Sequence, residues 1–349
     1  MNKIYLKLTL LSIIIILIGM IRFNRNDIGI TNVTVPDAAY DKLKSNDAIR
    51  YINMTNYFRG ETSPDILIPP FTTRVLIPMA ASVLPFAPDT SVNIINLILT
   101  IASLIVLYKI LKYLELPQGA ITLGLLIFTF SFPVFYNTTT TYVDASFMFF
   151  VYLALYCMLK EKFYALILVF ILGSMTKEAM IIIIPVYFLS EIFKGKKIST
   201  VLVYCYLLCM AYSLTRVILL YIRPNDLNYF PLPSMDFITN NILRPRSYIS
   251  FVLSFGISGF VSVFFLVLLR KNLKELLSRY GIFFSGIAVS IIYAIYAFFS
   301  AYADGRYIWT SVPFSIPFML ILGRKYYLLY GFRINILKKF KYDHVLGMK

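Results

Sequence analysis

Apolar runs of about 15–22 residues recur along nearly the whole chain, long enough for helices to cross a hydrocarbon core roughly 30 Å thick. The strands of an outer-membrane barrel would instead show alternating segments of about 10 residues. Of the 349 residues, 59% are hydrophobic and only 14% charged, with a mean hydropathy of +0.76, which a water-soluble core of this size could not bury. The expected fold is therefore all-α, a polytopic membrane protein forming a single integral-membrane domain over residues 1–349.

The candidate spans are 4–22, 92–113, 119–136, 142–159, 163–176, 178–193, 199–222, 249–269, 281–300 and 307–322, about ten transmembrane helices. The opening "MNKIYLKLTLLSIIIILIGMIRF" has a basic start and an apolar core without a small-residue cleavage site, and reads as a retained first span. Segment 74–88, "RVLIPMAASVLPFAP", is short and interrupted by Pro78, Pro85 and Pro88. It reads as an interfacial or re-entrant helix rather than a span.

Charge supports that reading. With the N-terminus in the cytosol, the cytosolic segments collect Lys109, Lys112, Lys160, Lys162, Lys194, Lys196, Lys197, Arg270, Lys271, Lys274, Arg279 and the basic tail 324–349, most of the 33 Lys and Arg. The other side is nearly neutral, and counting 74–88 as a span would spoil the asymmetry. Both termini are then cytosolic. The two substantial exposed segments, 23–73 and 223–248, face the non-cytosolic side of a cell membrane. A basic cytosolic face is the ordinary companion of anionic lipid, so the net charge of +16 points to membrane lipid as partner and not to nucleic acid.

Histidine is nearly absent: His344, in the tail, is the single one. Ser-His-Asp, Cys-His and His-ligated zinc chemistry each need an imidazole beside the reacting group and are excluded. Cys157, Cys205 and Cys209 all lie in apolar segments and suggest neither a disulfide framework nor a thiolate metal site. Any chemistry must run on carboxylates, Lys, Arg, Tyr or a bound ion.

The expected topology puts Asp47, Arg74, Asp144, the pair Lys177 and Glu178, Arg223, Asp226, Arg244, Arg246, Asp304 and Arg306 on the non-cytosolic side, at or near span ends. Ionisable groups there that are not simple basic anchors usually face a cavity or a partner. Each also has a plainer reading. Asp144, in "TTTTYVDASFMFF", fits a helix start as well as a carboxylate at a cavity mouth. Lys177 and Glu178 follow a short span and fit an interfacial ion pair. "YADGRYIW" is routine turn chemistry, though Arg306 could point at an anion. Arg244 and Arg246 flank Pro245 and suit either lipid headgroups or a bound phosphate, whose oxygens match the planar guanidinium fork.

The order of a first span, an outer loop carrying an acid, then "PPFTTRVLIPMAASVLP", "YVDASFMFFVYLALY", "MTKEAMIIIIPVYF" and "GRYIWTSVPFSIPF" resembles the integral-membrane glycosyltransferases of the C superfamily, more narrowly their small bacterial members without a soluble domain. The resemblance covers nearly the whole chain in layout, through short and degenerate motifs. It implies transfer of a sugar from a polyprenyl-phosphate carrier to a glycan, lipid or protein acceptor on the outer face, with inversion, and a base in the first outer loop. Asp47, in "NDAIRYINM", matches that position best, with Asp37 and Asp41 as rivals. The loop lacks the adjacent acidic pair of many members, so a carboxylate-bound divalent cation finds no support and no cofactor is expected.

Beside the resemblance stands elementary chemistry. A hydroxyl acceptor must lose its proton as it attacks the anomeric carbon, which a positioned carboxylate accepts. The departing lipid phosphate gathers negative charge that fixed cations stabilise, and Lys177, Arg244, Arg246 and Arg306 are available, with Arg74, Asp144 and Glu178 as further binding candidates. Tyr51, Tyr57, Phe58 and Tyr142 offer ring faces to a sugar, although interfacial aromatics also serve as anchors. Two other functions fit the same layout. A transporter or flippase of lipid-linked saccharide should show mid-membrane charges and internal repeats; a polysaccharide polymerase relying on arginines should tolerate loss of Asp47.

Overall fold

The structure, a computed structural model, describes residues 3–31, 47–138, 141–220, 232–301 and 304–328. It is all-helical, with no strand among the described residues. Helix α1 (Lys3–Thr31) is followed by α2 (Asp47–Phe58), 3₁₀ turns at Pro64–Ile66 and Phe71–Thr73, and α3 (Leu76–Ser82). Then come α4 (Pro88–Tyr113), α5 (Gln118–Thr129), α6 (Phe132–Asn137), α7 (Asp144–Leu159) and α8 (Phe163–Thr176). A 3₁₀ stretch at Glu178–Ile182 leads into α9 (Ile183–Phe193) and α10 (Ile198–Leu220). Helices α11 (Met235–Leu243), α12 (Pro245–Leu268), α13 (Leu273–Ser300), α14 (Gly305–Trp309) and α15 (Val312–Tyr326) complete the order.

Among the described residues, four stretches are long and apolar enough to cross a bilayer: Pro88–Tyr113, Ile198–Leu220, Ser247–Leu268 and Arg270–Ser300. They make this a membrane protein. Ile4–Ile18, α5, α7 and α8 are shorter apolar helices. The remaining candidate spans are divided or shortened, and prolines explain much of it. Segment 119–136 breaks after Thr129, where Pro133 opens α6 under an extended Ser131, because proline supplies no N–H to continue a ladder but suits a first helical turn. Segment 307–322 divides into α14 and α15, with Pro313 in the first turn of the latter. Segment 74–88 contains α3, of 7 residues, too short to span at about 1.5 Å per residue.

α10 and α12 turn apolar side chains outward, among them Leu202, Val203, Leu214, Val217, Ile249, Val252, Ile257 and Phe264. An apolar surface of that extent suits lipid contact, since the backbone polar groups are satisfied within each helix. The main core lies between α4, α5, α7, α8, α9, α13 and α15, around Leu104, Leu107, Phe128, Val151, Tyr152, Phe170, Phe283, Phe314 and Phe318. A smaller cluster of Tyr51, Ile77, Ala81, Val92 and Val143 seats α2 on α3, α4 and the segment before α7. Arg59 staples the same region. Its guanidinium donates to the carbonyls of Ser82 (3.3 Å), Leu84 (2.9 Å) and Phe86 (2.7 Å) and to Ser91 Oγ (3.2 Å).

Candidate active site

Two antiparallel neighbours set the floor of the site. α7 and α8 are joined by a tight turn at Lys160–Lys162, so the N-terminus of α7 lies beside the C-terminus of α8. Asp144 is the first residue of α7 and Lys177 caps α8. Helix dipoles favour an anion at the first position and a cation at the second. Lys177 Nζ donates to Asp144 Oδ1, and the residues are 6% and 2% exposed, a buried ion pair.

The segment carrying Asp144 is held by a polar stripe on α4. Asn93 Oδ1 accepts from the backbone N–H of Thr141 at 2.7 Å, Asn96 Nδ2 donates to the Tyr142 carbonyl, and Ser146 Oγ donates to Asn96 Oδ1 at 2.6 Å. Thr141 adopts φ 61°, a left-handed conformation that a threonine holds only when its surroundings enforce it. Asn93, Asn96, Thr100 and Ser103 are all buried. Their spacing places them on one face of an apolar helix, a polar signal present in "SVNIINLILTIAS" that carries no ionisable group.

Arg306 is delivered from the other end of the chain. The Asp304 carboxylate caps α14 by accepting from the Arg306 backbone N–H at 2.8 Å, and its other oxygen accepts from Arg306 Nε at 2.8 Å. Gly305 lets α14 press against α12: a Cβ at that position would stand 2.3 Å from the Ser250 carbonyl oxygen and 2.0 Å from Ser254 Oγ. The guanidinium lies 4.9 Å from the Tyr142 ring centroid, within cation–π range. Its Nη1 donates to Asp47 Oδ2 at 2.6 Å and stands 3.8 Å from Asp144 Oδ2.

A second fork adjoins the first. Arg74 Nε donates to Glu178 Oε2 at 2.7 Å and its Nη2 to Glu178 Oε1, while Nη1 donates to the Tyr51 hydroxyl at 2.6 Å. Tyr51 stands one turn after Asp47 on α2. Burial pushes the Tyr51 phenol well above its ordinary range, against the pull of Arg74. Burial also opposes the charges of Arg74 and Arg306. Glu178 and Tyr51 outweigh it at Arg74, and Asp304, Asp144 and Asp47 outweigh it at Arg306, so both guanidiniums stay above their ordinary values.

Asp47, Arg74, Asp144, Lys177, Glu178 and Arg306 thus meet at one end of the helices, joined by Asp304 and Tyr51. Solvent reaches the Asp47, Asp304 and Glu178 side chains, which are 32%, 36% and 35% exposed, above the buried Asp144–Lys177 pair. Arg244 is exposed at the junction of α11 and α12, outside this buried network. The Arg246 side chain, Asp37, Asp41, Arg223, Asp226 and His344 lie outside the described residues.

The aromatic assignment is corrected in part. Tyr51 is 1% exposed and spends its ring on Phe71, edge to face at 5.3 Å, so it offers no open platform to a sugar. Tyr57 and Phe58 pack on the cluster of Met54, Leu67, Val75 and Leu219. Tyr142 stays partly accessible, under Arg306.

Beside the network, α12, α13 and α14 border an apolar cavity of about 370 Å³, open to the surface and lined by Phe251, Ile291, Ala294, Ile295, Phe298, Phe299 and Ile308. Ile308 is two residues from Arg306. α11 is tied down at the same end of α13 by Asn241, whose amide donates to the Phe298 and Ala301 carbonyls at 2.8 and 2.7 Å. Among the described residues, no group of three or more His, Cys, Asp or Glu is placed to hold a metal ion.

No protein-family model, curated protein or solved structure matches this chain.

Proposed function

We propose that this protein is a membrane glycosyltransferase that moves a sugar from a polyprenyl-phosphate donor to a glycan, lipid or protein acceptor on the non-cytosolic face, with inversion. The observation that carries the reading is the meeting of Asp47 with Arg306, Asp144 and Lys177 at one end of the helices, beside an apolar cavity. The resemblance in sequence layout supports it, and so does the partial exposure of Asp47 directly above the buried Asp144–Lys177 pair.

In this reading about ten helices cross the membrane, the four long ones, the four shorter apolar ones and the segments 178–193 and 307–322, and both termini are cytosolic. The acceptor hydroxyl oxygen attacks the anomeric carbon from the face opposite the phosphate. Its proton passes to Asp47 as the new C–O bond forms. The bond from the anomeric carbon to the phosphate oxygen breaks, its electron pair leaves with the polyprenyl phosphate, and Arg306 stabilises the charge that gathers there. The apolar cavity takes isoprene units of the carrier, whose hydrocarbon would otherwise meet a polar site.

The test is transfer in proteoliposomes given a panel of polyprenyl-phosphate sugars with labelled sugar and a membrane extract as acceptor source. The reading expects label to leave at least one donor in a protein-dependent way. Intact donors throughout, with the protein folded, would count against it.

A further inference from the structure

Among the described residues the site brings together three cations, Arg74, Lys177 and Arg306, and four carboxylates, Asp47, Asp144, Glu178 and Asp304, all engaged with one another; Arg216, also near Glu178, donates to the Ser174 carbonyl at 3.0 Å. A phosphate entering between these three cations finds each already matched, so they hold it only if a carboxylate gives up its partner. The four carboxylates are not equally replaceable. Asp144 is 2% exposed and tied to Lys177. Glu178 takes both arms of the Arg74 fork. Asp304 accepts from both the backbone N–H and Nε of Arg306 and lies two residues away along the chain. Asp47, on a different helix and partly exposed, is held by Arg306 Nη1.

From this, resting on the reading above, we propose that Asp47 and the donor phosphate compete for Nη1 of Arg306, so that the base is locked until the donor arrives. Asp304 keeps the guanidinium aimed through Nε while Nη1 changes partner. The phosphate displaces Asp47, and repulsion between the two anions turns the freed carboxylate outward, toward an acceptor hydroxyl. The arrangement orders binding, donor before acceptor. It also keeps an unpaired carboxylate from facing the donor's departing phosphate group before transfer can occur.

The consequence is opposite to what loss of a binding residue normally does: Asp47→Asn should tighten phosphate binding while abolishing transfer. The experiment measures affinity of the full-length protein in detergent for undecaprenyl phosphate and, separately, for inorganic pyrophosphate, in the wild type, Asp47→Asn, Arg306→Gln and the double variant. Undecaprenyl phosphate should bind several-fold more tightly to Asp47→Asn than to wild type, and this gain should vanish on the Arg306→Gln background. A gain that persists there would reflect only the lost negative charge and overturns the lock, as does no gain at all. Pyrophosphate showing the same coupled gain supports the same exchange for free phosphate; a gain confined to the lipid assigns the exchange to the carrier. If Arg306→Gln does not fold, Arg306→Lys takes its place and should reduce the coupling, since an ammonium lacks the fork that spans both acids. Failure of the wild type to bind either probe overturns the polyprenyl-phosphate reading and the lock with it, whereas binding without coupling overturns the lock alone.

Discussion

Asp47 and Arg306 lie 259 residues apart in the chain and 2.6 Å apart in space. Their contact joins a helix of the first long loop to a five-residue helix just before α15. Lysine retains the charge of Arg306 but cannot reach Asp47, Asp304 and a phosphate from one rigid plane. Arg306→Lys is expected to fold and to lose about 10²–10³-fold in kcat, the cost typical of removing one positioned charge-stabilising donor. Steady-state kinetics of the purified variant check this; a kcat within a few-fold of wild type would remove Arg306 from the reacting centre.

Asp144 and Lys177 are buried partners, so removing either strands the other. Lys177→Met should cost about 3–5 kcal/mol of stability, as breaking a buried pair does, and Asp144→Asn should cost less, because a neutral amide still offers an oxygen to Lys177. Thermal unfolding in detergent measures both. Equal, negligible losses would mean that water reaches the pair.

Gly305 is required by proximity rather than by flexibility. An alanine methyl would stand 2.3 Å from the Ser250 carbonyl oxygen, a backbone atom that cannot step aside. Gly305→Ala should insert normally, lose about 1–3 kcal/mol through overpacking, and lose activity by displacing Arg306. Phe314 makes a useful comparison, since Gly286 packs under its ring, within α13 and 14 residues before its last residue, Ser300; Gly286→Ala should lower stability with a smaller effect on kcat.

Much of this architecture was legible in the chain, for physical reasons that differ by element. The apolar helices follow from composition and run length, and six of the ionisable residues expected on one side of the membrane, Asp47, Arg74, Asp144, Lys177, Glu178 and Arg306, come together in the fold. Two features were not legible. Tyr51 reads as an interfacial ring by type, yet its hydroxyl accepts from Arg74 inside the fold, and nothing local to "AIRYINM" announces a partner 23 residues on. Nothing local to Arg59 announces that carbonyls at the α3–α4 junction consume its guanidinium. Asn93 and Asn96 could have been found, because amides inside an apolar helix demand partners. Pairing of Asp47 with Arg306 rather than with Arg244 depends on tertiary packing alone.

Topology has its own check. In a cysteine-free background, single cysteines at Asp47 and Lys196 should respond oppositely to a membrane-impermeant thiol reagent added to intact cells, position 47 labelling and position 196 remaining unlabelled until the membrane is opened. Both positions are accessible to solvent in the fold. Labelling at 196 in intact cells would invert the proposed orientation and put the carboxylate cluster on the cytosolic side.

The central claim is that Asp47 takes the acceptor's proton. Asp47→Asn keeps shape while removing the charge and the base, so the purified variant should remain folded and still bind a polyprenyl-phosphate donor. Its transfer rate in proteoliposomes should fall by about 10²–10⁴-fold, the usual contribution of a general base. Transfer by Asp47→Asn at the wild-type rate would contradict the account.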